Sequence, residues 1–104
     1  MTEDSLKALI ASEDIICIDT MEKIVPGSAV IDFYSRNVSL HGDGKPVQHA
    51  DSVTVTAWET SKTKRKESEN KIETVLEDNG VSAYIDRGFD DTMKLYYSRF
   101  NFTV

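Results

Sequence analysis

Residues 53–58 read Val-Thr-Val-Thr-Ala-Trp, a strict alternation that sends Val53, Val55 and Ala57 one way and Thr54, Thr56 and Trp58 the other. Such a period of two is the mark of a β-strand with unlike faces, and a strand of this kind needs both sheet neighbours and a covering layer. In a chain of 104 residues there is room for one such layered core and no more. Residues 29–34 supply a second strand, with Ile31 and Phe33 on one side and Val30, Asp32 and Tyr34 on the other. The two are expected to be antiparallel neighbours. Between them lies a polar stretch centred on His41, Gly42, Asp43, Gly44 and Lys45, where Asp-Gly suits the positive φ angles of a tight turn. It is either the tip of a long hairpin or a mobile loop.

Helical spacing appears twice. In residues 2–11, Leu6, Leu9 and Ile10 fall on one face, and Asp4 or Ser5 is placed to cap the first turn. Residues 61–79 form the main helix, with Ile72, Val75 and Leu76 as its apolar stripe and Gly80 as its left-handed terminator. Its first half, through Lys62, Lys64, Arg65 and Lys66, has no stripe and reads as a face that is solvated or covered by a partner. Residues 15–18 are an apolar, β-branched run suited to a strand or an extended connector, and Pro26-Gly27 breaks the chain after it. Residues 81–86 are read as a third strand and 93–104 as a fourth.

That last strand has two phases. Met93, Leu95 and Tyr97 share one, and Phe100, Phe102 and Val104 the other. Either a bulge near Ser98-Arg99 brings both sets to one face, or the strand is buried on both faces, by its own helix and by a neighbouring subunit. The expected fold class is α+β, a mixed and mainly antiparallel sheet covered on one face by two helices. Its expected core includes Leu6, Leu9, Ile31, Phe33, Val53, Val55, Ile72, Leu76, Ile85 and Leu95.

The net charge of −6 argues against general nucleic-acid binding, which draws on an excess of Lys and Arg. No apolar run approaches the ~20 residues of a membrane span, and the acidic start lacks the basic residues of a signal peptide, so synthesis in the cytosol is expected. Cys17 is the only cysteine and sits among isoleucines, the setting of a small buried hydrophobe. His41, His49, Asp43 and Asp51 do not have the spacing of a helical zinc site, and turn chemistry explains the Asp and Gly. Asp51, Glu59 and Lys62 could be drawn into a nuclease-like cluster, but Glu59 and Lys62 are spaced so that they leave a strand on different faces. No cofactor, metal or catalytic group is assigned. The basic run Lys62, Lys64, Arg65 and Lys66 has three readings, a solvated face, an electrostatic contact with an acidic face of the next subunit or a partner ring, and, third, phosphate binding. Asp90 and Asp91, or the acidic N-terminus, are the expected acidic counterpart.

The order of elements resembles one family. A helix leads into a strand pair ending in Val-Thr-Val-Thr-Ala-Trp, then a polar helix ending in Glu-Thr-Val-Leu-Glu-Asp-Asn-Gly. An acidic turn, Phe89-Asp90-Asp91-Thr92, precedes an aromatic strand with Leu95-Tyr96-Tyr97 and Phe100-Asn101-Phe102. This is similar to the small tail terminator, or tail completion, proteins of long-tailed bacteriophages. The resemblance implies a hexameric ring seated on the last layer of the tail tube, with the major tail tube protein on one side and a head-completion or connector protein on the other. It places the chain in the virion tail, after assembly in the host cytoplasm. A head–tail connector of the stopper type or a tail tube protein is the alternative, and a metal-dependent nuclease the enzymatic one.

Overall fold

The computed structural model describes residues 2–18, 23–38 and 48–103, with side chains described throughout except at 35–38 and 48–51. The elements run α1 (Glu3–Ala11), β1 (Ile16–Ile18), β2 (Ser28–Val38), β3 (Gln48–Glu59), α2 (Lys62–Asp78), β4 (Tyr84–Asp90) and β5 (Leu95–Thr103). Among the described residues, five strands form one sheet in the order β1-β2-β3-β5-β4. Among these strands β1 and β2 pair in parallel, and the other three pairings are antiparallel. Two helices cover one face, and the fold is the expected mixed α+β arrangement. Strands β3 and β4 run the same way with β5 between them, so β3-α2-β4 is a split crossover whose gap is filled by the C-terminal strand.

Local chemistry explains the boundaries. The cap of α1 is Thr2, not Asp4 or Ser5: its hydroxyl accepts from the Ser5 N–H at 3.2 Å while Ser5 Oγ accepts from the Thr2 N–H at 2.9 Å. This is a reciprocal capping box with serine in the return position. Residues 25–28 make a type II turn, with Pro26 at the second position and Gly27 at φ +80° in the third. Helix α2 starts from Ser61, whose hydroxyl accepts from the Lys64 N–H at 3.2 Å. It ends in a Schellman motif, with Gly80 N–H donating to the Glu77 carbonyl and Val81 N–H to that of Leu76. That motif uses Val81, so the third strand begins later than residues 81–86 suggest, at Tyr84.

The β2–β3 hairpin is paired from Ser28↔Trp58 to Val38↔Gln48, whereas β5 joins β3 only as far as Ser52↔Thr103. Beyond that, a two-stranded ribbon extends by roughly 13 Å at the ordinary rise of a strand. Residues 41–45, expected at the hairpin tip or in a mobile loop, lie outside the described residues.

The core sits between the helices and one sheet face, made by Leu6, Ile10, Ala29, Ile31, Val53, Val55, Ile72, Leu76, Phe100 and their neighbours. Phe33 and Ile85 are only half-buried, packed against the edge of this layer, and Leu9 is half-buried too. Strand β5 has no bulge: its register with β3 and with β4 is continuous. Its two phases therefore divide between faces, Phe100 and Phe102 under the helices and Leu95 and Tyr97 on the opposite side. Leu76 is 1 % exposed at the centre of the helix layer. Leu76→Ala is expected to cost about 2–5 kcal/mol, read as a lower denaturant midpoint at unchanged slope.

Candidate functional site

The N-terminal half of α2 carries the basic run, and the structure divides it. Lys62, Lys64 and Lys66 are exposed. Arg65 turns inward, one helical turn before Glu69, and its guanidinium donates to Glu69 Oε1 at 3.0 Å and to Ser98 Oγ at 2.8 Å. Arg87, reaching across from β4, makes a two-pronged contact with the same carboxylate, Nε to Oε1 at 2.7 Å and an Nη to Oε2 at 2.9 Å. Ser98 Oγ donates to Oε1 at 2.9 Å. Glu69 is 5 % exposed and Ser98 fully buried.

A buried carboxylate is tolerable only when its lone pairs and its charge are met, and here two arginines and a hydroxyl meet both. Burial pushes the Glu69 carboxyl up, but the Arg87 and Ser98 hydrogen bonds and the two guanidinium charges outweigh it and hold the group below the usual carboxylate range. The hydrogen bond and charge of Glu69 in turn raise Arg87. With its oxygens occupied by these donors, Glu69 is a structural anchor and is not placed to accept a proton from a substrate.

An open recess of about 400 Å³ lies beside this cluster, lined by Lys62, Arg65, Arg87, Gly88, Phe89 and Tyr96. The Phe89 and Tyr96 rings pack at 4.7 Å between centroids, inclined at 57°. Two arginines hold the one carboxylate and Lys62 lines the recess beside them, leaving an excess of positive charge on an acidic chain. Lys62 has no carboxylate within ion-pair distance among the described residues.

Asp90 and Asp91 follow Phe89 directly, so the acidic pair lies at the same sheet edge as the cations. Asp90 is committed to its turn: Oδ1 accepts from the N–H groups of Thr92 and Met93, both at 2.9 Å. Lys94, at φ 57°, closes the turn by donating its N–H to the Asp90 carbonyl at 2.8 Å. Asp91 is exposed. The Glu59 carboxylate accepts from Ser68 Oγ at 2.6 Å, and the Asp51 side chain lies outside the described residues, as do those of His41, Asp43 and His49. Among the described residues no cluster of three or more His, Cys, Asp or Glu could hold a metal ion. Cys17 is half-buried with its thiol 3.4 Å from the Lys7 carbonyl, and burial pushes its pKa up.

On the other sheet face, Trp58, Tyr97 and Arg99 form a stack. The two rings lie 5.3 Å apart, and the Arg99 guanidinium is 5.0 Å from the Tyr97 centroid. Gly88 is required beneath it, since a Cβ there would overlap the Tyr97 ring. Neither the Glu69 anchor nor this stack is foreseen in the sequence reading. The i, i+4 spacing of Arg65 and Glu69 was the available signal for the first; the second depends on which strands become neighbours.

No protein-family model and no curated protein matches the chain. The depressed Glu69 pKa fixes the sign of its pH effect. Its stabilisation is full above the unfolded carboxyl value of about 4.3 and is lost as pH falls through the lower folded value. Glu69→Gln is expected to lower stability at pH 7 by about 2–4 kcal/mol, the half-exposed Arg87 being partly screened. The variant should also show a shallower loss of melting temperature than the wild type between about pH 5 and 3.

Proposed function

We propose that this chain is a structural virion protein, a tail terminator that forms a ring on the end of a phage tail tube and offers the head-joining surface. The observation that carries this reading is the architecture. A mixed sheet covered on one face by two helices is what the family resemblance implies. To it the molecule adds two features suited to assembly: a β2–β3 ribbon reaching beyond the sheet and a second sheet face bearing exposed Tyr34 and Tyr84. The Glu69 cluster fits this reading as a brace for a small domain that must keep its shape under contact. Its partners are further copies of itself, in a ring expected to hold six subunits in all, the major tail tube protein and a head-completion protein. Among the described residues no helix is long and apolar enough to cross a membrane.

Tail tubes incubated with the protein should stop elongating and show one added ring by electron microscopy. Unlimited polymerisation of the chain alone would identify a tube protein instead, and tubes that keep growing would refute the terminator. Exposed cations govern approach and salt response more than affinity. Capping by a Lys62→Glu, Lys64→Glu, Lys66→Glu variant should therefore be slower and less salt-dependent, while its melting curve stays close to wild type. Arg65 must be left in place, because reversing it would break the Glu69 anchor.

A further inference from the structure

Helix α2 carries its charges the wrong way round. The aligned peptide dipoles of a helix favour acids at its N-terminal end and bases at its C-terminal end. Here the first turns hold Lys62, Lys64, Arg65 and Lys66 with no acid in the first turn, and the last turn holds Glu77 and Asp78 with no base. Arg65 is taken up by Glu69. Lys62, Lys64 and Lys66 are exposed without an ion-pair partner among the described residues, and the same holds for Glu77 and Asp78. Lys71, the base of the second half, is engaged elsewhere, its ammonium 3.4 Å from the Glu13 carbonyl. The single chain thus gains nothing from this order of charges, and an interaction with something outside it would.

The acidic end borders a pocket. It lies between the last turns of α2 and the start of β4, has a volume of about 170 Å³, and is lined by Leu76, Ala83, Ile85 and Phe100, with Glu73 and Glu77 one helical turn apart on its α2 side. Aliphatic walls beside two carboxylates match a lysine side chain, whose stem covers apolar surface while its ammonium stays at the polar rim. The exposed lysines of α2 cannot reach this pocket in their own chain, since Lys64 stands roughly 20 Å from Glu77 at the rise of an α-helix. Glu73 already lies in the field of its own Arg87, which leaves Glu77 and Asp78 as the unopposed acids.

We propose that the first turns of α2 in one copy dock at this pocket in the next copy, a lysine stem entering between the aliphatic walls and the cations of residues 62–66 meeting Glu77 and Asp78. Two different surfaces of one chain are then joined head to tail, the relation that a ring of identical subunits uses. The N-terminal end of one helix also approaches the C-terminal end of another, so the dipoles attract. Asp90 and Asp91 cannot take the place of Glu77 and Asp78, because they follow Phe89, which lines the recess at the basic end together with Lys62. The inference rests on the ring reading and names its subunit contact.

Sedimentation velocity of the full chain tests it with two variants, Lys64→Glu with Lys66→Glu, and Glu77→Lys with Asp78→Lys. Both exchanges bring α2 into line with its own dipole, so neither should lower the melting temperature. Each variant alone should nevertheless self-associate about tenfold or more weakly than wild type. An equimolar mixture should regain assembly, because opposite charges then meet at every contact, and a chain carrying all four exchanges should associate about as well as wild type. If either variant alone associates like wild type, or the fourfold exchange does not restore association, the inference fails. A wild-type chain that stays monomeric at all concentrations overturns it, and one that stops at a dimer replaces the head-to-tail contact with an antiparallel pair of α2 helices. Should a reversal lower the melting temperature, Lys64→Gln and Glu77→Gln take its place, and unchanged association in either is equally fatal. Tube capping distinguishes the two levels: rings that form on tubes regardless of these variants sink the contact but not the terminator, whereas crossed rescue without capping sinks the terminator but not the contact.

Discussion

The Glu69 carboxylate ties helix α2 to the β4–β5 hairpin across the sheet. It stands on α2, is gripped by Arg87 from β4 and by Ser98 from β5, and is backed by Arg65 from its own helix. A charge taken out of water is costly, so the helix can sit in only one rotation and one height on the sheet that satisfies it. The apolar stripe of Ile72, Val75 and Leu76 lies entirely in the second half of α2, and apolar packing alone would leave the first half free to splay. The polar anchor replaces the missing stripe there.

Much of this fold could be read from residue order, and the exceptions share a cause. The alternation of residues 53–58, the Ile72–Val75–Leu76 spacing and the Gly80 terminator are local signals, and the elements they mark are present with small boundary changes. Val81, apolar and β-branched, resembles a strand residue but closes the helix cap, so β4 starts later than the residue pattern suggests. Arg65 is indistinguishable in sequence from its neighbouring lysines, because a run of cations looks uniform; its direction is decided by Ser98, far away in the chain, which offers a hydroxyl to its guanidinium. The two apolar phases of β5 were visible, but the choice between a bulge and two apolar faces needed the register.

That register gives the sheet two kinds of apolar surface. Under the helices it is aliphatic, centred on Phe100 with Ile31, Val53 and Val55. On the other side it is aromatic and amphipathic, with Trp58 and Tyr97 in contact and Arg99 stacked on the ring. Trp58 is 6 % exposed on that side, and its indole N–H is buried without an acceptor among the described residues. Large rings with polar ends suit a face that meets other macromolecules, since they give contact area at small conformational cost.

The strand order also bears on how quickly the chain reaches its native state. Two hairpins, β2–β3 and β4–β5, each close locally, but β5 must then slot beside β3 in a pairing that spans from Ser52 to Thr103. Pairings so distant along the chain carry a large loop-closure penalty and are formed late. Until the C-terminal hairpin docks, β3 presents an unpaired inner edge rich in valine and threonine, the composition that strand-adding partners or aggregates recognise. The interval before docking is therefore the time at which an unfinished sheet is most open to wrong pairing.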